Sequence, residues 1–160
     1  LHKEYRRQRQ MCIRDSVRAI KQFKVRPADA KARETNLNTR LINQLRQVDN
    51  RIVNKNIESV RFAGETYRPE CSLTDHGMHP LFALECKKLH DHSAKRLFKE
   101  GMSQALLYLT NSKRVVLALY DFTTGGTYFK AFGQGNTVSS RMAKRLREDL
   151  GLFIIVLRKP

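Results

Sequence analysis

The chain has 160 residues, 41% of them apolar, and 31 Lys and Arg against 15 Asp and Glu, a formal net charge of +16. That composition allows one domain with a core and is too small for two. No apolar run nears the ~20 residues of a membrane-spanning helix, and the start lacks the apolar centre of a signal peptide.

The charge is not confined to a tail. The first 33 residues hold 11 Lys and Arg against 3 acids, and the other 127 hold 20 against 12. A domain this basic most often meets a polyanion, nucleic acid by default. Cys12, Cys71 and Cys86 make an odd count that fits a reducing cytoplasm better than a disulfide framework.

Residues 1–26 read as a basic N-terminal segment without period. Met11–Ser16 resembles translated sequencing-adaptor read-through, so no function is given to this stretch or to Cys12. A single domain is expected over 27–160. It opens on a helix: Pro27 suits an early turn, Asp29 a cap, and Leu37, Leu41, Leu45 and Val48 recur at helical spacing. Ile57 to Phe62 reads as a strand, with Gly64-Glu65 as a turn and Thr66 to Leu73 as its partner. Thr74-Asp75-His76-Gly77 is a second turn, and Leu81 to Lys88 a third strand.

Ser93 is placed to cap a second helix whose inner face is Leu97, Phe98, Ala105, Leu106 and Leu109, with Gly101 weakening its middle. Arg114 to Phe122 is an apolar strand, and Tyr128 to Phe132 is read as pairing back after a turn at Thr123–Gly126. Thr124-Gly-Gly-Thr127 and Gly133-Gln-Gly135 lack the lysine of a phosphate-binding loop and read as hairpin turns. Val138 to Leu150 reads as a basic amphipathic helix, and Phe153 to Leu157 as a last strand.

The chemistry centres on Leu84-Glu85-Cys86-Lys87. Acid–x–lysine occurs twice, at Asp29-Ala-Lys31 and Glu85-Cys-Lys87, and chance alone accounts for that number. Context separates the two. Phe82-Ala-Leu84 leads straight into Glu85, which puts its carboxylate at the end of a buried strand, where an unpaired charge is costly. Lys87 shares the face of Glu85 because side chains alternate along a strand. Glu70, one strand earlier, comes alongside after the intervening turn. Two adjacent carboxylates call for a cation, and magnesium, with manganese as its substitute, takes oxygen ligands and keeps waters.

On this pleat Cys71 and Cys86 face the other way, as small core residues. A competing zinc set of Cys71, His76, His79 and Cys86 has no familiar ligand spacing. His90 and His92 read as surface residues near the helix start. Glu34 heads the apolar stripe of the first helix, so it can look inward; it equally suits a first-turn acid that favours the helix dipole. Gln104 and Tyr108, four apart, share a helix face.

Together these residues resemble the PD-(D/E)XK nuclease superfamily, the restriction-endonuclease-like fold. Its core order, helix, three strands, helix, strand, is similar to that read over residues 27 to 122. Pro69-Glu70 takes the place of the Pro-Asp motif, Glu85-Cys86-Lys87 that of acid–x–lysine, Glu34 that of the first-helix acid, and Gln104 that of the second-helix glutamine. Glu70 departs from the commoner aspartate by one methylene.

The resemblance implies an α/β fold with a central mixed sheet flanked by helices and an appended helix and strand. It also implies a metal-dependent nuclease acting on nucleic acid, DNA in the first instance. Glu70, Glu85, the Cys86 backbone carbonyl and Glu34 are then expected at the metal, with Lys87 and Gln104 completing the catalytic set. Lys88, Lys95, Arg96, Arg141, Lys144 and Arg145 are expected at phosphates, positioning the substrate without reading bases. Cutting both strands of a duplex makes a homodimer an expected form. The alternative is a non-catalytic nucleic-acid-binding module on the same fold.

Overall fold

Side-chain alternation along one strand organises the molecule. In the computed structural model, which describes residues 13–54, 57–74, 80–133 and 135–158, that strand is β5 (Pro80–Leu89), buried along its whole length. Phe82, Leu84 and Cys86 face one helical layer, and Ala83 and Leu89 face the other. A strand covered on both faces reads as continuously apolar, and this one does until Glu85.

Five strands form the central sheet, in the order β1 (Ile52–Val53), β4 (Cys71–Thr74), β5, β6 (Val115–Asp121), β7 (Leu152–Leu157). β1/β4 and β4/β5 are antiparallel, and β5/β6 and β6/β7 parallel. The fold is therefore α/β with a mixed sheet between helical layers. α1 (13–21) and α2 (Glu34–Val48) cover one face through Val17, Ile20, Leu37, Leu41 and Leu45. α3 (Ala94–Tyr108) covers the other through Ala94, Ala105 and Tyr108. α4 (Thr127–Gly133) adjoins α3, with Phe98 packed on Tyr128 and Phe132. α5 (Val138–Arg145) follows, with a π turn at Leu146–Leu150. No helix among the described residues is long and apolar enough to cross a membrane.

Several expectations are revised. Residues 13–26 are built into the domain: Val17, Ala19, Ile20, Phe23 and Val25 are buried in the core. Their spacing is masked in the sequence by interleaved basic residues on the outer side. Pro27–Ala30 is a separate 3₁₀ turn, and Asp29 closes it by accepting from Arg26 N at 2.7 Å. Val48, at the end of the expected stripe, is exposed, while Ile42 is buried.

The strand read over 66–73 is two strands. Among the described residues β3 (Glu65–Tyr67) pairs only with β2 (Val60–Phe62), in a hairpin of its own turned by Ala63 and Gly64 at φ 51° and 82°. Arg68-Pro69-Glu70 then carries the chain to β4, because proline has no N–H to continue a ladder.

Tyr128 to Phe132 is helix, not strand. Asp121 Oδ2 accepts from Phe129 N at 2.8 Å and Thr123 Oγ1 from Thr127 N at 2.9 Å, which satisfies the free donors of the first turn of α4. Thr123–Gly126 is therefore a helix entry and not a hairpin turn. Thr137, by accepting from Ser140 N at 3.0 Å, caps α5, and Gly151 at φ 78° ends the π turn in the left-handed conformation. Asp75 to His79 and Gln134, on which two expected turns depend, lie outside the described residues, as does Cys12.

Candidate active site

Glu85 and Lys87 lie on the α3 face of β5, beside Leu117 and Leu119 of β6. Lys87 Nζ stands 2.8 Å from Glu85 Oε1, and the two residues are only 8% and 3% exposed. Cys71 pairs with Leu84, and the N–H of Glu70 donates to Leu84 O at 2.8 Å. Glu70 therefore enters beside Glu85, from the residue just before β4. Its charge raises the pKa of both Glu85 and Glu34.

Burial dominates the electrostatics. It pushes Glu85 up to about 7, with Lys87 opposing the rise and Glu70 adding to it. Burial alone would lower Lys87, but Glu85 and Glu100 outweigh it and hold the ammonium above its ordinary value. The pair thus keeps a proton on the lysine and leaves the glutamate short of counter-charge.

Glu34, in the first turn of α2, is brought to the same end of β5, where its Oε2 accepts from Lys88 N at 2.5 Å. Burial raises its pKa, against the pull of that N–H and of Lys87. Gln104 and Tyr108 follow Glu100 at successive turns of α3. Gln104 Oε1 and the Tyr108 hydroxyl are buried and accept or donate no hydrogen bond among the described residues. The Tyr108 hydroxyl is raised by burial and then by the Glu85 carboxylate.

Cys71 and Cys86 point to the opposite face, buried in the α1/α2 core, and Tyr120 OH donates to Cys86 Sγ at 3.7 Å. His76 and His79 of the zinc alternative lie outside the described residues. Among the described residues, no three His, Cys, Asp or Glu side chains gather as a ready-made ion site.

The expected phosphate contacts divide. Lys88 is turned inward: its ammonium donates to Ala30 O at 2.8 Å and Ala32 O at 2.5 Å, and lies 5.2 Å from the centre of the Phe122 ring. Its place against two carbonyls removes it from the phosphate set. Lys95 and Arg96 are exposed on the first turn of α3. Arg141, Lys144 and Arg145 are exposed on α5, which packs by β7. That is two strands from β5, about 10 Å across the sheet.

Two residues at the site escaped the sequence. Glu100 Oε1 stands 3.3 Å from Lys87 Nζ. Gly101 lets α3 rest on the lysine stem: a Cβ there would be 2.8 Å from Lys87 Cγ and 2.9 Å from Leu117 Cδ1. The glycine was visible as a mid-helix anomaly, which in a packed helix signals close approach. Glu100 had no signal beyond its place one turn before Gln104.

No protein-family model matches the chain, and no curated protein matches it significantly. Among solved structures, it is similar to the crystal structure of YaeQ protein from Xanthomonas axonopodis pv. citri. The identity is 16% and the TM-score 0.32, covering 78% of this chain and 67% of that one.

Proposed function

We propose that this protein is a metal-dependent nuclease of the PD-(D/E)XK type that hydrolyses phosphodiester bonds, those of DNA in the first instance. One observation carries the reading: Glu85, 3% exposed, sits beside Glu70 with the Lys87 ammonium 2.8 Å away on the same face. Burying a carboxylate is costly without a matching cation. Lys87 alone does not return Glu85 to the ordinary range. The oxygen donors suit a hard divalent ion. Gln104 Oε1, buried without a hydrogen-bond partner among the described residues and one helical turn from Glu100 and Tyr108, suits its water shell. The order of helix, antiparallel strands, helix and parallel strand supports the same reading.

Glu70, Glu85 and the Cys86 carbonyl would hold Mg²⁺, or Mn²⁺ in its place, with Glu34 at the margin. Such an ion supplies Lewis-acid polarisation of a phosphate and a bound water of lowered pKa. Lys87 stays protonated and donates to the phosphate oxygen on which charge grows. Its stem is already fixed against Gly101, so little reorganisation is needed. The Lys88 N–H fixes Glu34, and Gln104 orients neighbouring polar groups. Lys95 and Arg96 hold the backbone of the substrate without reading its sequence.

The test is a gel assay on plasmid, linear, branched and single-stranded DNA with Mg²⁺, Mn²⁺ or EDTA. Cleavage is expected with metal, is lost in EDTA, and is lost in Glu85→Ala and Lys87→Ala variants that remain folded by circular dichroism. Tight binding without cleavage under either metal replaces the nuclease with a binding module. Undiminished cutting by both variants removes these residues from the mechanism.

A further inference from the structure

Four charges alternate from the interior to solvent. Lys87 Nζ is 2.8 Å from Glu85 Oε1 and 3.3 Å from Glu100 Oε1, and Glu100 Oε2 is 3.2 Å from Arg96 Nη1. The side chains of Glu85, Lys87, Glu100 and Arg96 are 4%, 10%, 43% and 71% exposed. An exposed pair such as Glu100–Arg96 contributes little to stability. Lys87 already has a partner in Glu85. The second carboxylate therefore needs another reason to be there.

Competition for Glu85 supplies one. A cation held by Glu85 competes with Lys87 for the carboxylate whose Oε1 the ammonium now faces, and like charges at that range repel strongly in a buried site. An ammonium with no other partner would leave. We propose that Glu100 is a positioning residue, a second anchor that keeps the Lys87 ammonium at the site when a cation occupies Glu85. This rests on the nuclease reading.

The packing suits that role. The backbone of α3 at Gly101 lies against the Lys87 stem, so the stem stays put while Nζ passes from one carboxylate to the other. Glu34 acts on Lys87 through its charge while its carboxylate accepts from the Lys88 N–H, and Glu100 is the acid besides Glu85 that stands in contact with the ammonium. Arg96 completes the chain outward. When it turns to a phosphate, Glu100 is left to Lys87.

The test observes the side-chain ammonium resonances of the ¹⁵N-lysine-labelled full chain, with Lys87→Arg assigning the Lys87 signal. In wild type this signal is expected to persist from EDTA to saturating Mg²⁺. In Glu100→Gln it persists in EDTA, where Glu85 holds it, and disappears on adding Mg²⁺. Glu100→Asp restores part of it. On plasmid, Glu100→Gln lowers kcat roughly 10–100-fold, with KM for DNA unchanged or lower. A Glu100→Gln signal that survives Mg²⁺ overturns the anchor. Wild type that never cleaves, yet shows the Mg²⁺-dependent loss in Glu100→Gln, ends the nuclease reading and keeps the anchor. Cleavage with kcat unaltered in Glu100→Gln ends the anchor and keeps the nuclease.

Discussion

Lys87 and Lys88, neighbours in β5, send their ammonium groups to opposite faces of the sheet. Lys87 goes to Glu85 and Glu100 on the α3 side, and Lys88 to the carbonyls of Ala30 and Ala32 on the α2 side. The pleat of a strand dictates the alternation. One strand end thereby ties both helical layers together, and the Lys88 N–H adds Glu34 to the same knot.

Lys88→Met keeps the stem and removes the clamp on the turn before α2. Two carbonyls lose their donor, so a stability loss of about 1–3 kcal/mol is expected, read as a lower urea midpoint at unchanged m-value. Nucleic-acid binding supplies the control. Lys88→Met leaves the salt dependence of binding unchanged, whereas Lys95→Ala or Arg96→Ala lowers its slope by about one. A reduced slope in Lys88→Met would return this lysine to the phosphate contacts.

Gly101→Ala improves helix propensity by about 1 kcal/mol, yet a net loss is expected. The new methyl would meet Lys87 Cγ at 2.8 Å and Leu117 Cδ1 at 2.9 Å, both in buried residues. Overpacking of this kind costs about 1–3 kcal/mol, and under the proposed nuclease function a displaced Lys87 is expected to lower cleavage roughly tenfold or more. Denaturation and single-turnover kinetics measure the two effects. A stabilised, fully active variant contradicts the close approach of α3.

Glu85 makes stability depend on pH. Burial holds it at about 7, above the ordinary 4.5. Between those values the folded chain keeps the proton and the unfolded chain releases it. The contribution of this group is therefore complete below the unfolded value and is lost as pH rises through 7. In EDTA, wild type should lose on the order of 3 kcal/mol relative to Glu85→Gln between pH 4.5 and 8. An Mg²⁺ ion held by Glu85 as proposed would have to displace the same proton, so its affinity is expected to rise with pH over that window. A pH-independent difference between the two proteins in urea titrations refutes the shift.

Asp121→Ala tests the entry to α4. The carboxylate accepts from Thr123 N at 3.0 Å and Phe129 N at 2.8 Å, and stands 3.8 Å from Arg158. Each donor left without a partner costs about 1–3 kcal/mol. The expected result is a marked loss of stability with early amide exchange across residues 127–133. Unchanged exchange there would show that α4 holds without its cap.

Local signals in the chain were enough where one element decides its own form. The stripe of Leu37, Leu41 and Leu45, the apolar run of β6 and the apolar run that leads into Glu85 each follow from residues in sequence contact. Elsewhere distant partners decide. Tyr128 to Phe132 has strand-like composition, but Asp121 and Thr123 offer its N–H groups a cap and the segment winds into helix. Ile52–Val53 is too short to signal a strand, and it exists because β4 presents an open edge. The buried spacing of Val17 and Ile20 was hidden among basic residues until α2 and the sheet supplied a surface for it.

The order of residues alone dictates that Glu85 and Lys87 share a face, since a pleat alternates whatever surrounds it. It also dictates that a basic surface accompanies them. Which cations stay available depends on packing in three dimensions. Lys88 is spent on the carbonyls of Ala30 and Ala32, and Lys87 is divided between Glu85 of its own strand and Glu100 of α3; Ala30, Ala32 and Glu100 all lie more than ten residues away in sequence. The energy of a charge depends on its neighbours in space, and folding chooses those.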